Sequence, residues 1–157
     1  MDTTGKIRSG KIMAYDTSTG NRIKNDNFSS INWVHSILKK EDYNLKQCLF
    51  GLHLLNQTTN KIGIVESEKT ALIMSIEFPQ FTWMSTGSIN GFKHEFLAPL
   101  IKRDITAFPD KGGYEKWKKT ADMLNDKGFE ITISKLLENK ENENGWDLVD
   151  MLNYENK

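Results

Sequence analysis

The spacing of apolar residues changes character near residue 61. From there, short apolar runs alternate with amphipathic stretches. The runs predict four strands, at residues 62–65, 81–84, 105–108 and 129–133. The stretches predict helices at residues 67–78 and 94–101, a third from residue 114 to near Gly128, and a last amphipathic segment at 146–152. Alternating units of this size favour a parallel sheet with right-handed crossovers. The predicted fold class is therefore α/β, a parallel sheet flanked by helices.

The first 60 residues follow another pattern. Residues 11–15 read as a strand, residues 16–21 are dense in turn formers, and residues 22–24 can return as the partner strand. Asn32 is placed to cap a helix with apolar residues at 33, 34, 37 and 38. We therefore expect a small hairpin and helix extension at residues 1–60 and the α/β domain at residues 61–157.

Composition narrows the functional classes only modestly. The formal net charge is zero, and residues 1–60 hold eight Lys and Arg against five Asp and Glu, so any basic surface is expected there. Cys48 is the one cysteine, which excludes an internal disulfide and a cysteine zinc cluster. No apolar run approaches the roughly 20 residues of a membrane span, and the N-terminus lacks an apolar signal core. We expect a cytoplasmic protein without a membrane partner.

Acidic residues follow the predicted strands where function usually collects in parallel sheets. Glu66 follows the first strand, Asp110 follows the third, and Asp147 and Asp150 come after the fourth. Carboxylates that converge on one edge favour a cation, and hard oxygen ligands suit Mg²⁺ with its bound waters and phosphates. A structural alternative stays open for each acid, because acids are also favoured at helix starts.

The order of these segments resembles the Toprim family, the metal-and-phosphate module of primases and topoisomerases. Residues 65–72 look like its first motif, residues 86–91 like its glycine-bearing turn, and residues 105–110 like the strand that leads to its paired aspartates. Residues 146–152 are similar to its closing acidic segment. The resemblance covers about residues 61–152. It implies Glu66 as general acid/base, Asp110 and Asp147 as Mg²⁺ ligands, and Gly87 and Gly91 as the motif turn.

One departure from that pattern concerns the paired aspartates. Here the pair reads Asp110-Lys111-Gly112, so the second acid is missing. Lys111 and the backbone of Gly112 and Gly113 are instead placed to hold a phosphate at a helix N-terminus without metal. Lys69 and Lys116 are further phosphate-contact candidates.

The whole chain also looks like a Toprim-like family encoded on mobile elements of Bacteroidetes, found in primase-like proteins. The segments that carry this likeness are residues 10–16, 33–36, 44–48, 109–110 and 115–117. The resemblance implies nucleic acid, with DNA favoured, and other replication or mobilisation proteins as partners.

Several alternatives remain open at this stage. They are a non-catalytic docking module of the same fold, a Toprim-type nuclease, and a receiver-like or flavodoxin-like domain. The three histidines show no ligand spacing, and Trp83 and Trp117 are expected to serve packing.

Overall fold

The structure is a computed structural model that describes residues 1–20, 22–23, 31–138 and 144–155. The chain divides into two compact units. The smaller unit is Lys6–Gln47, and the larger unit combines Met1–Gly5 with Cys48–Lys157.

The smaller unit contains a two-stranded antiparallel sheet and one helical turn. Strand β1 (Lys11–Ile12) pairs with β2 (Asn32–Trp33), and α1 (Val34–Ile37) follows directly. The predicted hairpin is present as a single bridge between Tyr15 and Arg22, while residues 21 and 24 lie outside the described residues.

The helix predicted to start at Asn32 is wrong in its start and length. Asn32 and Trp33 are extended, because they pair with β1, and the amide of Val34 donates to the carbonyl of Gly10 at 2.9 Å. The residue that precedes α1 is Trp33, with φ −119° and ψ 131°, and its side chain makes no capping hydrogen bond.

The larger unit is built on a four-stranded parallel sheet. Its strands are β3 (Lys61–Val65), β4 (Phe81–Ser85), β5 (Asp104–Ala107) and β6 (Glu130–Ile133). Their order is β4-β3-β5-β6, and every neighbouring pair is parallel. The predicted α/β class is confirmed, and the arrangement is consistent with a Toprim-like domain.

Helices follow the strands, with ends that local sequence explains. They are α2 (Glu68–Glu77), α3 (His94–Leu97), α4 (Tyr114–Asn125) and α5 (Leu148–Glu155). Ser67 caps α2 by accepting a hydrogen bond from the amide of Thr70. Gly128, at φ +88°, takes the left-handed conformation that ends the α4 segment. No helix in the described part of the chain is long and apolar enough to cross a bilayer.

The described residues of the larger unit also form three 3-10 helices, at Leu52–Gln57, Ile89–Gly91 and Ala98–Leu100. The helix predicted at residues 94–101 is therefore α3 followed by a 3-10 turn. Pro99 lies at the start of that turn, where its missing amide hydrogen costs nothing.

Two hydrophobic clusters cover the faces of the parallel sheet, because successive residues of a strand point to opposite faces. Ile62, Ile64 and the fully buried Trp117 belong to one cluster, whereas Val65 and Trp83 belong to the other. The predicted packing roles of both tryptophans are confirmed. Leu72, by contrast, is 56% exposed on α2.

Candidate functional site

The carboxyl edge of the parallel sheet brings the ends of three strands together. The amide of Phe108 donates to the carbonyl of Ile64 at 2.7 Å, and the amide of Thr86 donates to Val65 at 3.1 Å. Glu66 leaves β3 at this edge, and Asp110 lies three residues beyond the end of β5. Two of the predicted acids are thus positioned by the backbone of neighbouring strands.

A pair of backbone hydrogen bonds brings the later segment to the same edge. The amide of Lys111 donates to the carbonyl of Trp146, and the amide of Gly145 donates to the carbonyl of Lys111, both at 2.9 Å. Asp147 follows directly and is 8% exposed. The acids predicted at residues 66, 110, 147 and 150 therefore converge, and we call them the acidic cluster.

Glu66 lies half-buried against the loop that follows β5. Its pKa is raised, chiefly because burial disfavours the charged carboxylate. The backbone amide of Asp110 donates to it and Lys116 lies nearby, and both oppose that rise. A Cβ added to Gly113 would lie 3.2 Å from Oε1 of Glu66. Glycine at 113 thus gives the carboxylate room beside the start of α4.

Asp110 is the most strongly perturbed acid of the cluster. Its pKa is raised to about 8, first by burial and then by repulsion from Glu66, Asp147 and Asp150, while Lys69 opposes the shift. A carboxyl group surrounded by like charge in this way gains from a proton or from a cation. The crowding of carboxyl groups around Asp110 therefore favours the binding of a positive charge.

Asp147 already has several hydrogen-bond donors within the chain. Its Oδ1 accepts from the amides of Val149 at 2.8 Å and Asp150 at 3.0 Å, as an N-cap of α5 does. Oδ2 of Asp150 accepts in turn from the amide of Asp147 at 3.0 Å, which completes a reciprocal capping box. Asp147 and Asp150 therefore have the structural role that acids commonly have at the start of a helix.

Thr70 is a member of the site that sequence reasoning missed. Its hydroxyl donates to Oδ2 of Asp147 at 2.6 Å and also lies 2.8 Å from the hydroxyl of Ser67. The two hydroxyls therefore link the cap of α2 to the cap of α5. Ser67 and Thr70 can be recognised in the sequence as a helix start, but the sequence gives no sign that Thr70 bonds to the distant Asp147.

Two of the predicted lysines border the acidic cluster. Lys69 Nζ lies 3.9 Å from Oδ2 of Asp147 and has a side chain that is 23% exposed. Lys116 donates a hydrogen bond to Oδ1 of Asn90 and lowers the pKa of Glu66. Both cations thus face groups of the cluster or of the turn beside it.

The predicted motif turn lies next to the start of α2. Gly87 has φ +76°, and a Cβ there would lie 3.3 Å from Oε1 of Glu68. A Cβ on Gly91 would collide with the carbonyl oxygen of Thr86. Both glycines therefore meet a local steric demand.

The two glycine amides predicted to hold a phosphate at the start of α4 have partners within the chain. That of Gly113 donates to the carbonyl of Asp110 at 2.8 Å. The amides of Gly112 and Tyr114 donate to Oε1 of Glu138, at 2.7 and 3.3 Å. An anion is favoured there by the helix dipole, and Glu138 supplies it. A phosphate at Lys111 and Gly112 would have to displace this carboxylate.

The side chains available as ligands limit how the site could hold a metal ion. Within the described residues, no group of three or more His, Cys, Asp or Glu side chains is arranged to hold one. Mg²⁺, however, is commonly held by one or two carboxylates while it keeps several waters. Glu66 and Asp110 fit that smaller requirement, whereas both oxygens of Asp147 already accept hydrogen bonds.

The fold and the cluster define a parallel α/β domain with an acidic, lysine-bordered site at the carboxyl edge of its sheet. The chain belongs to the family described as a domain of unknown function, DUF6371, whose model matches residues 1–111. That match includes Glu66, Lys69 and Asp110 but ends before Lys116 and Asp147. No curated protein matches the chain, and no solved structure does.

Proposed function

We propose that this chain is a Toprim-like domain of a primase-related or mobile-element replication protein, and that it binds nucleic acid through its acidic cluster and the lysines beside it. The observation that carries the proposal is the convergence of the acidic cluster at the carboxyl edge of the sheet, where the backbone pairing of Lys111 with Gly145 and Trp146 brings the later acids beside Asp110. Burial and repulsion within this cluster raise the pKa of Asp110. Such a cluster favours a divalent cation, and a cation bridges carboxylates to the phosphates of DNA.

In this proposal each side chain has a separate task. Asp110 and Glu66 hold Mg²⁺ together with its waters, and Asp147 keeps the edge in shape from the cap of α5. Lys69 and Lys116 contact phosphate. The bound ion supplies positive charge for phosphoryl transfer. The role of general acid/base is an alternative for Glu66 to the role of Mg²⁺ ligand, and it suits a carboxyl group whose pKa is raised by burial when no ion is bound.

A second candidate is a non-catalytic module that docks onto nucleic acid or protein. Two observations favour it. At the position of the family's second aspartate this chain has Gly112, and the amide of Gly112 donates a hydrogen bond to Glu138. In addition, Asp147 serves as a helix cap. Under this alternative, the basic residues govern binding and the carboxylates do not.

The two candidates are separated by binding of a fluorescently labelled single-stranded DNA, measured by anisotropy in Mg²⁺ and in chelator. The first predicts that Mg²⁺ strengthens binding and that Glu66→Gln removes this gain. It also predicts that Lys116→Gln weakens binding about three- to ten-fold, since it removes a phosphate contact. Lys127→Gln, at an exposed lysine beyond α4, is the matched control and should change little.

Equal binding in Mg²⁺ and chelator, unchanged in Glu66→Gln but weakened in Lys116→Gln, would favour the docking module. Incubation of the DNA with nucleoside triphosphates and Mg²⁺ or Mn²⁺ then tests chemistry. Primer synthesis with release of pyrophosphate favours the primase-type reading, whereas cleavage that needs no triphosphate and is lost in Glu66→Gln favours the nuclease.

A further inference from the structure

A cavity of about 440 Å³ lies in the larger unit, beside the edge strand β4. The 3-10 helix Leu52–Gln57, α2 and β4 supply most of its walls. No member of the acidic cluster lines it, so this cavity is separate from the candidate site. Its volume falls within the range of roughly 300–1,000 Å³ that is usual for small-molecule sites.

The walls of this cavity are rich in aromatic and aliphatic side chains. Phe50, Phe81 and Trp83 are among the lining residues, and the ring centroids of Phe81 and Trp83 are 5.2 Å apart. Phe50, Leu54 and Leu72 also line the cavity and are 36–56% exposed. These apolar surfaces remain in contact with solvent, and a flat apolar ligand would cover them.

One residue that lines the cavity carries a polar atom with no hydrogen bond among the described residues, the buried Nδ1 of His53. A buried nitrogen left in this state costs free energy. A ligand atom recovers that free energy when the His53 ring turns this nitrogen toward the cavity. This feature points to a ligand with a hydrogen-bonding edge.

The charge of the wall restricts the ligand further. All of the lining residues lie in the described part of the chain, and none of them is Asp, Glu, Lys or Arg. A charged group placed here would lose hydration without gaining a countercharge. The buried part of the ligand is therefore uncharged.

We propose that this cavity binds an uncharged, planar heteroaromatic ligand of about nucleoside size. Its ring contacts Phe50 and Phe81, and its polar edge bonds to His53. A free nucleoside and a base of a single-stranded nucleic acid share this chemistry. The site does not depend on the acidic cluster or on the function proposed for it.

The test is a titration of the isotopically labelled full chain with adenosine, followed by amide and side-chain NMR shifts. Saturable shifts at residues of the cavity are expected. His53→Phe keeps the ring shape but removes the nitrogen, and it should weaken binding about ten-fold. Leu72→Ala removes an exposed wall and should also weaken binding. Ile76→Ala, one turn further along α2 and 77% exposed, does not line the cavity and should have no effect.

Nicotinamide and nicotinate test the predicted neutrality, because they share one ring and differ by a carboxylate. The proposal requires that nicotinamide shift the cavity resonances and that nicotinate fail to do so. An oligoadenylate that competes with adenosine would identify a strand as the source of the base. Adenosine binding without that competition would identify a free nucleoside.

The proposal is overturned if adenosine and nicotinamide give no saturable shift, or if nicotinate binds as well as nicotinamide. It is also overturned if His53→Phe and Leu72→Ala both bind like wild type. Asp110→Asn should leave adenosine binding unchanged. A failure of the cavity and a failure of the acidic cluster therefore give different results.

Discussion

The hydroxyl of Thr70 donates a 2.6 Å hydrogen bond to Oδ2 of Asp147, a residue 77 positions further along the chain. Both side chains are buried, Thr70 at 1% exposure and Asp147 at 8%. The bond joins the first turn of α2 to the cap of α5. It therefore fixes a carboxylate of the acidic cluster to the helix that follows Glu66.

Thr70→Val should destabilise the fold by about 1–3 kcal/mol, because valine keeps the shape but leaves a buried carboxylate oxygen without its hydroxyl donor. Urea unfolding followed by circular dichroism measures the loss. Ser75→Ala is the control on the same helix, since its hydroxyl bonds to Leu72 at an exposed position and should cost less than about 0.5 kcal/mol. Equal losses in the two variants would contradict the role of the buried bond.

Gly63→Ala should be among the most destabilising small substitutions in the sheet. A Cβ at residue 63 would lie 2.5 Å from Cε3 of Trp83, which packs across β3. Overpacking of this kind costs about 1–3 kcal/mol. The double variant Gly63→Ala/Trp83→Leu should be less destabilised than the sum of the single variants, since leucine gives up the space. Simple additivity in thermal unfolding would show that the collision is not the cause.

Asp110→Asn should stabilise the protein, and more so at alkaline pH. The pKa of Asp110 is raised from 3.8 to about 8, so the fold favours its protonated form. That contribution is fully present below the ordinary pKa and is lost as pH rises toward 8. Asparagine avoids the loss, and the gain over wild type should grow to roughly 1–3 kcal/mol near pH 8.5.

Thermal unfolding in chelator at pH 4, 6 and 8.5 measures this trend for wild type and Asp110→Asn. Asp126→Asn, at an exposed aspartate that follows α4, is the control and should show no such growth with pH. A constant difference between Asp110→Asn and wild type across the three pH values would argue against the buried, repelled state of Asp110.

The sequence was sufficient for much of the larger unit. Its strands are short apolar runs, and the helices between them have recognisable caps such as Ser67. Glu66 and Asp110 were found for the same reason, because a residue soon after a strand of a parallel sheet must lie at its carboxyl edge.

Other features depend on contacts that no local pattern reveals. Asn32 and Trp33 read as a helix start, yet they are extended because they pair with the short strand β1. Glu138 accepts hydrogen bonds from the amides of Gly112 and Tyr114, which lie 26 and 24 residues earlier in the chain. Local propensity could not predict these partners, since distant backbone groups determine them.

The sequence predicted one feature of Asp147 and missed another. Its place after the last strand was visible, and the acids at 147 and 150 have capping-box spacing. Its approach to the cluster, however, relies on the backbone pairing of Lys111 with Gly145 and Trp146. Residues 139–143 lie outside the described residues, and the sequence there gave no indication of that pairing.

Calorimetric titration of the full chain with Mg²⁺, near pH 8 and without nucleic acid, tests the acidic cluster most directly. The account predicts saturable binding in wild type that is lost in Asp110→Asn and in Glu66→Gln. It should be retained in Glu77→Gln, where the acid is exposed at the end of α2. Absence of binding in wild type, or equal binding in all four proteins, would contradict the proposal that this cluster attracts a divalent cation.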